Sequence, residues 1–174
     1  MDALGRLLNV VPGVVNVDAN TSGATGNRTS LRQVGGVTVV AILGAAASGT
    51  ESLVLTLKQH TASSSGTTSN LAIVDKYWVK AATALAGTET WTKITQTASQ
   101  TVTVADTQGA LTGVAQKQAM VAFEVDAAQL SDGCTHISVD VADPGSVGRI
   151  VSVVYLPHDL KVQRTPASLA NPQT

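Results

Sequence analysis

The chain has 174 residues, enough for one domain, with a net charge of −1, 13% charged, 3% aromatic and 44% hydrophobic residues. A near-neutral balance with scattered Lys and Arg excludes a broad electrostatic attraction to nucleic acid. The single cysteine, Cys134, excludes an internal disulfide framework and a cysteine-rich zinc site, and no run approaches the ~18 apolar residues that span a membrane.

The N-terminal stretch MDALGRLLNVVPGVV is interrupted by Asp2, Pro12 and Gly13 and does not read as a signal peptide. Residues 1–36 read as an extended N-terminal arm, with an apolar segment, Leu7–Val17, followed by the polar loop Asp18–Arg28. Within the arm, Leu7, Leu8, Val10, Val11, Val14 and Val15 are the candidate partner-binding residues. The triplets Asn20-Thr21-Ser22 and Asn27-Arg28-Thr29 have glycosylation spacing but read as loop chemistry in a chain without a secretory signal.

The body is expected over residues 37–156. Val37–Leu43 is a β-branched run bounded by Gly35-Gly36 and Gly44, which predicts a buried strand. A turn over Ala45–Thr50 leads to Ser52–His60, where Leu53, Leu55 and Leu57 alternate; the two runs are expected to form a hairpin. Thr61–Asn70 is a Ser/Thr/Gly loop. Lys76–Ala82, Thr90–Thr95 and Thr101–Ala105 read as short, partly exposed strands, and Gln108–Gln118 as a connection.

Met120–Leu156 is the most informative stretch. Val121, Phe123 and Val125 share one face of a strand, and Thr135, Ile137, Val139 and Val141 share another, because alternate side chains lie on the same side. In the run Ile150–Leu156 both faces are largely apolar, which predicts a central strand covered on both sides. Ala127–Leu130 is expected to form one helical turn. Residues 157–174, with Pro166 and Pro172 and no periodicity, read as an extended C-terminal tail. About eight short strands with regular turn signals predict an all-β fold, a β-sandwich, with jelly-roll topology as one possible ordering.

Chemistry-bearing motifs are sparse. Gly44–Thr50 lacks the Lys of a phosphate loop and joins two strands, so it reads as a turn. His60, His136 and His158 have no metal-spaced partners. Asp126, Asp132, Asp140 and Asp143 match no calcium-loop spacing, and Ser131-Asp132-Gly133 and Asp143-Pro144-Gly145 are turn formers. No Gly-x-Ser-x-Gly elbow is present. Cys134 reads as a buried structural thiol, and Trp78 and Trp91 as core or interface residues. No enzyme activity, cofactor or metal is expected. The low charge leaves two surfaces open: one covered by partners in an assembly, or one made polar by Thr and Ser without charge.

The segments VTVVAILGAAASGTESLVLTLKQ, YWVKAATALAGTETWTKITQTASQTVTVAD and, most specifically, FEVDAAQL followed by DGCTHISVDVADPG and an apolar last strand cover most of the chain after about residue 30. This pattern resembles a family of small structural proteins of tailed bacteriophages encoded among the head genes. The resemblance implies a virion protein, foremost a capsid decoration or cement protein. Such a protein assembles in the host cytoplasm, sits on the outer surface of the shell and bridges major capsid subunits, commonly as a homotrimer. It implies no nucleic acid or membrane as partner and carries no catalytic residue to transfer. The alternatives are a head–tail joining or tail structural protein, or a β-sandwich module for a host surface or carbohydrate. Solvent-exposed Trp78 and Trp91 beside polar groups would mark the last.

Overall fold

The computed structural model describes residues 3–19, 22–145 and 148–169. Its elements are β-strands joined by turns, with short 3-10 turns at Ala127–Gln129 and Pro166–Ser168. The first sheet has six strands: in spatial order β1 (Val11–Asp18), β11 (Ile150–His158), β3 (Gly36–Leu43), β9 (Gln118–Asp126), β6 (Val74–Ala82) and β7 (Thr92–Ser99). The second runs β2 (Thr29–Ser30), β10 (His136–Val141) and β4 (Leu53–His60). The far edge of β4 is shared by β5 (Thr68–Asn70) and β8 (Thr101–Val104). All pairings between these strands are antiparallel. The chain is therefore all-β with two antiparallel sheets, as the turn spacing and alternation predicted.

Alternation explains why the sheets face each other. Val37, Val39, Ala41 and Leu43 of β3, Val121, Phe123 and Val125 of β9, and Val151, Val153 and Tyr155 of β11 turn inward. They meet Leu53, Leu55 and Leu57 of β4 and Ile137, Val139 and Val141 of β10 in one apolar cluster. Each such side chain contributes about 1.5–3 kcal/mol when fully removed from water. Two tyrosines tie the layers by hydrogen bonds. Tyr155 Oη accepts from the Val139 N–H at 2.8 Å, and Tyr77 Oη donates to the Thr103 carbonyl at 3.0 Å. The Val139 amide needs this partner because on that edge of β10 strand β2 pairs only with His136 and Ile137 and Ala24 bridges only Val141. Gly13 and Gly26 make room for the ring: a methyl at Gly13 would stand 2.7 Å from Tyr155 Cζ, and one at Gly26 would meet the Val139 carbonyl.

Several expectations change. Val37–Leu43 and Ser52–His60 do not form a hairpin. β3 pairs with β11 and β9 while β4 pairs with β10, β5 and β8, so residues 44–52 cross from one sheet to the other. Both strands carry an apolar face, and placing them opposite each other across the ~10 Å between sheets buries both faces. Within the stretch read as an N-terminal arm, two segments are sheet strands, Val11–Asp18 and Thr29–Ser30. Val11–Asp18 is an edge strand paired with β11, because Val11 and Val14 supply part of the core. The last strand is interior, as expected, but its outer face is not fully buried: Ile150 is 44% exposed and Val154 and Leu156 are half-buried.

At the C-terminus β11 runs on to His158, and the Lys161 and Arg164 amides donate to the carbonyls of Gln33 and Gly5, so this part of the tail packs against the body. Pro172 lies outside the described residues.

Candidate functional site

The expected partner-binding segment divides in two. Val11 and Val14 are buried in the core and Leu8 is half-buried, so these three are structural. Leu7 (66%), Val15 (65%) and Val10 (51%) are exposed, and Leu4, which the sequence reading did not single out, joins them at 37%. The segment is fixed rather than loose. The amides of Leu7 and Gly5 donate to the carbonyls of Ala3 and Leu8, and the Asn9 amide donates to the Pro157 carbonyl at 2.9 Å. Edge strand β1 and the residues just before it thus carry exposed aliphatic side chains. Exposure of this kind at a sheet edge suits protein contact.

A second group of polar residues lies on the outer face of the second sheet. His60 and His136 are direct cross-strand partners. His60 Nε2 lies 2.8 Å from Ser138 Oγ, and its Nδ1 lies 2.9 Å from Thr68 Oγ1. Arg28 reaches over them, donating to the carbonyls of Ala62 and Ser65, and Lys58 pairs with Asp140 at 2.6 Å. Burial, and then the nearby Arg28, lower the His60 pKa to about 4; burial likewise lowers that of His136. Ser138 and His60 have the contact of a nucleophile and its base, yet both are buried beneath the Arg28 and Thr61–Thr67 segments, so Ser138 Oγ has no open approach. The group acts as a polar layer that pins these loops to the sheet.

The acidic residues do not converge. Asp126 caps the 3-10 turn by accepting from the Ala128 amide, Asp140 pairs with Lys58 and accepts from the Gly26 amide, Asp143 closes a turn to Gly145, and Asp132 is exposed. Among the described residues no group of three His, Cys, Asp or Glu side chains is placed to hold a metal. Cys134 sits in the turn before β10, half-buried, not on a core face.

Neither tryptophan lies in the core, one of the two places expected for them. Trp78 shares a face with Lys76 and Lys80, opposite Tyr77 and Val79, and therefore stands on the outer side of the first sheet, half-buried. Trp91 is 44% exposed at the β6–β7 turn, with Lys80 Nζ 4.9 Å from its ring centre. Trp78 pairs across the ladder with the small Ala122. Beside it lies a depression of about 230 Å³ lined by Ile73, Val74, Asp75, Lys76, Trp78, Glu124, Asp126 and Gln129. The sequence carried these residues in two segments about fifty positions apart; only the β6–β9 register brings them together.

No family model, curated protein or solved structure matches the chain.

Proposed function

We propose that this protein is a virion structural protein of a tailed bacteriophage, a capsid decoration or cement protein that bridges major capsid subunits from outside the shell as a homotrimer. The observation that supports this reading best is the aliphatic flank of Leu4, Leu7, Val10 and Val15 on a rigid β-body. A cementing protein needs a body that does not deform and an apolar surface that gains from being covered. The bacteriophage setting itself rests on the resemblance of Met120–Leu156 and the two preceding segments.

The test uses the purified chain and expanded capsids prepared without it. Sedimentation should give a trimer, and cosedimentation should give saturable binding to capsids. Deleting the whole N-terminal segment is unsuitable, because it removes β1. Leu7→Glu combined with Val15→Glu keeps the buried Val11 and Val14 and should abolish capsid occupancy while leaving the circular dichroism spectrum unchanged. A monomer without capsid affinity would sink the proposal; full occupancy by the double variant would sink the flank as its contact surface. Localisation in an imaged particle separates decoration from a head–tail or tail position.

A further inference from the structure

The depression beside Trp78 combines features that the capsid reading does not use. It is lined by the half-buried Trp78 together with Ile73 and Val74. Its rim carries both kinds of hydrogen-bonding group: carboxylates from Asp75, Glu124 and Asp126, and donors from Lys76 and Gln129. Among the described residues the ion pairs are Lys58–Asp140 and His158–Asp159, so the rim charges are not spent on one another. Two rim side chains are held in place by a capping box. Asp126 accepts from the Ala128 amide at 2.9 Å, and Gln129 Oε1 accepts from the Asp126 amide at 3.0 Å, which leaves Gln129 Nε2 as a donor. Such fixing lowers the ordering cost of binding.

The mixture of groups selects the ligand. A cation would use the acceptors but face Lys76, and it would find one aromatic ring where ammonium ligands favour a cage of several. An anion would face three carboxylates. A neutral polyol uses both sets, because each hydroxyl donates and accepts, and its apolar ring face suits a flat indole. The volume, below the usual ~300–1,000 Å³ of ligand pockets, suits one sugar ring rather than a chain. We propose that this depression is a binding site for a single neutral saccharide unit, stacked on Trp78 and hydrogen-bonded by Asp75, Glu124, Asp126, Gln129 and Lys76. The proposal stands independently of the capsid reading, because it rests on the lining of this depression alone.

The test is a titration of the full chain followed by 15N–1H correlation spectra, with glucose, galactose, mannose and N-acetylglucosamine as separate probes. The two indole N–H signals are assigned with Trp78→Phe and Trp91→Phe. At least one sugar should shift the Trp78 indole and the amides of Glu124 and Gln129 saturably, with a dissociation constant of about 1 mM. The Trp91 signal should stay still. Gln129→Ala, at an exposed position, should weaken binding several-fold, and Trp78→Ala should abolish it with the remaining spectrum intact. If Trp78→Ala disturbs the fold, Gln129→Ala and Glu124→Gln carry the test. No saturable shift with any of the four sugars overturns the proposal. So does a larger response to tetramethylammonium than to every sugar, or sugar binding that persists undiminished in all three site variants.

Discussion

Tyr155→Phe isolates one cross-sheet bond. The phenol is fully buried on β11, and its oxygen is the hydrogen-bond acceptor for the Val139 N–H across the core at 2.8 Å. Phe keeps the ring, so Gly13 and Gly26 still fit around it and no large cavity forms. What remains is a buried amide without a partner, on a stretch of β10 that no strand covers. Leaving such a donor unsatisfied costs about 1–3 kcal/mol, and relief from burying the hydroxyl offsets part of that. A net loss of about 1–2 kcal/mol is expected, equivalent to a Tm lower by about 2–8 °C for a chain of this length. Urea unfolding gives the free energy, and hydrogen exchange at the Val139 amide gives the local effect, which should be faster exchange there than at Val121 in the middle of the other sheet. Tyr77→Phe is the internal control. Its oxygen donates to the Thr103 carbonyl and accepts from Gln108 Nε2, but those two groups also bond each other and stay partnered, so the loss should be smaller. A Tyr155→Phe loss below about 0.5 kcal/mol, with unchanged Val139 protection, would refute the account of the bond.

The remaining expectations concern other parts of the body. His60 is neutral in the folded state with its pKa lowered to about 4, against 6.5 for the free side chain. The stability it contributes is therefore present above pH 6.5 and is lost as pH falls towards 4, of order 2 kcal/mol; His60→Asn should flatten urea midpoints across that window. Arg149 is buried and donates to the carbonyls of Gly44, Val114 and Lys117. Arg149→Met should cost about 2–3 kcal/mol and deprotect the Ala46 and Ala115 amides, while a change below about 0.5 kcal/mol would mean that the clamp is not needed. Leu57→Ala, at the centre of β4, should cost about 2–5 kcal/mol by cavity formation, read from the same urea curves.

How much was legible in the sequence follows from the range of each interaction. Strand alternation is local, so β9, β10 and β11 were found in Met120–Leu156, and the capping turn at Ala127–Gln129 was found from its neighbours. Pairing is not local. Val37–Leu43 and Ser52–His60 look like a hairpin because they are close in sequence, and only the competition for β11 and β10 sends them to different sheets. The same limit misread Val11 and Val14. Their segment is short and broken by Pro12-Gly13, which signals an arm, but an edge strand tolerates a proline and a bulge, and Gly13 is required there by the Tyr155 ring. Size alone leaves Trp78 open to a core or an interface position, and the structure excludes only the core. Its phase with Lys76 and Lys80 was visible in the sequence and should have outweighed size. The depression beside it was not visible, since Glu124 and Gln129 come from another strand and its following turn.

The placement of β11 between β1 and β3 has a consequence for how the chain is made. Tyr155 pairs with Val11 on one side and with Val39 on the other. Both neighbours leave the ribosome long before their shared partner, by several seconds at about 5–20 residues per second. Until then each carries an open edge and an apolar face, the combination that recruits stray strands. The first sheet is thus expected to close only after synthesis has passed His158, as a late and non-local step. A chain stopped before Ile150 would lack the strand that joins β1 to β3 and could not close the first sheet. Synthesis through His158 is therefore the checkpoint for closing this sheet.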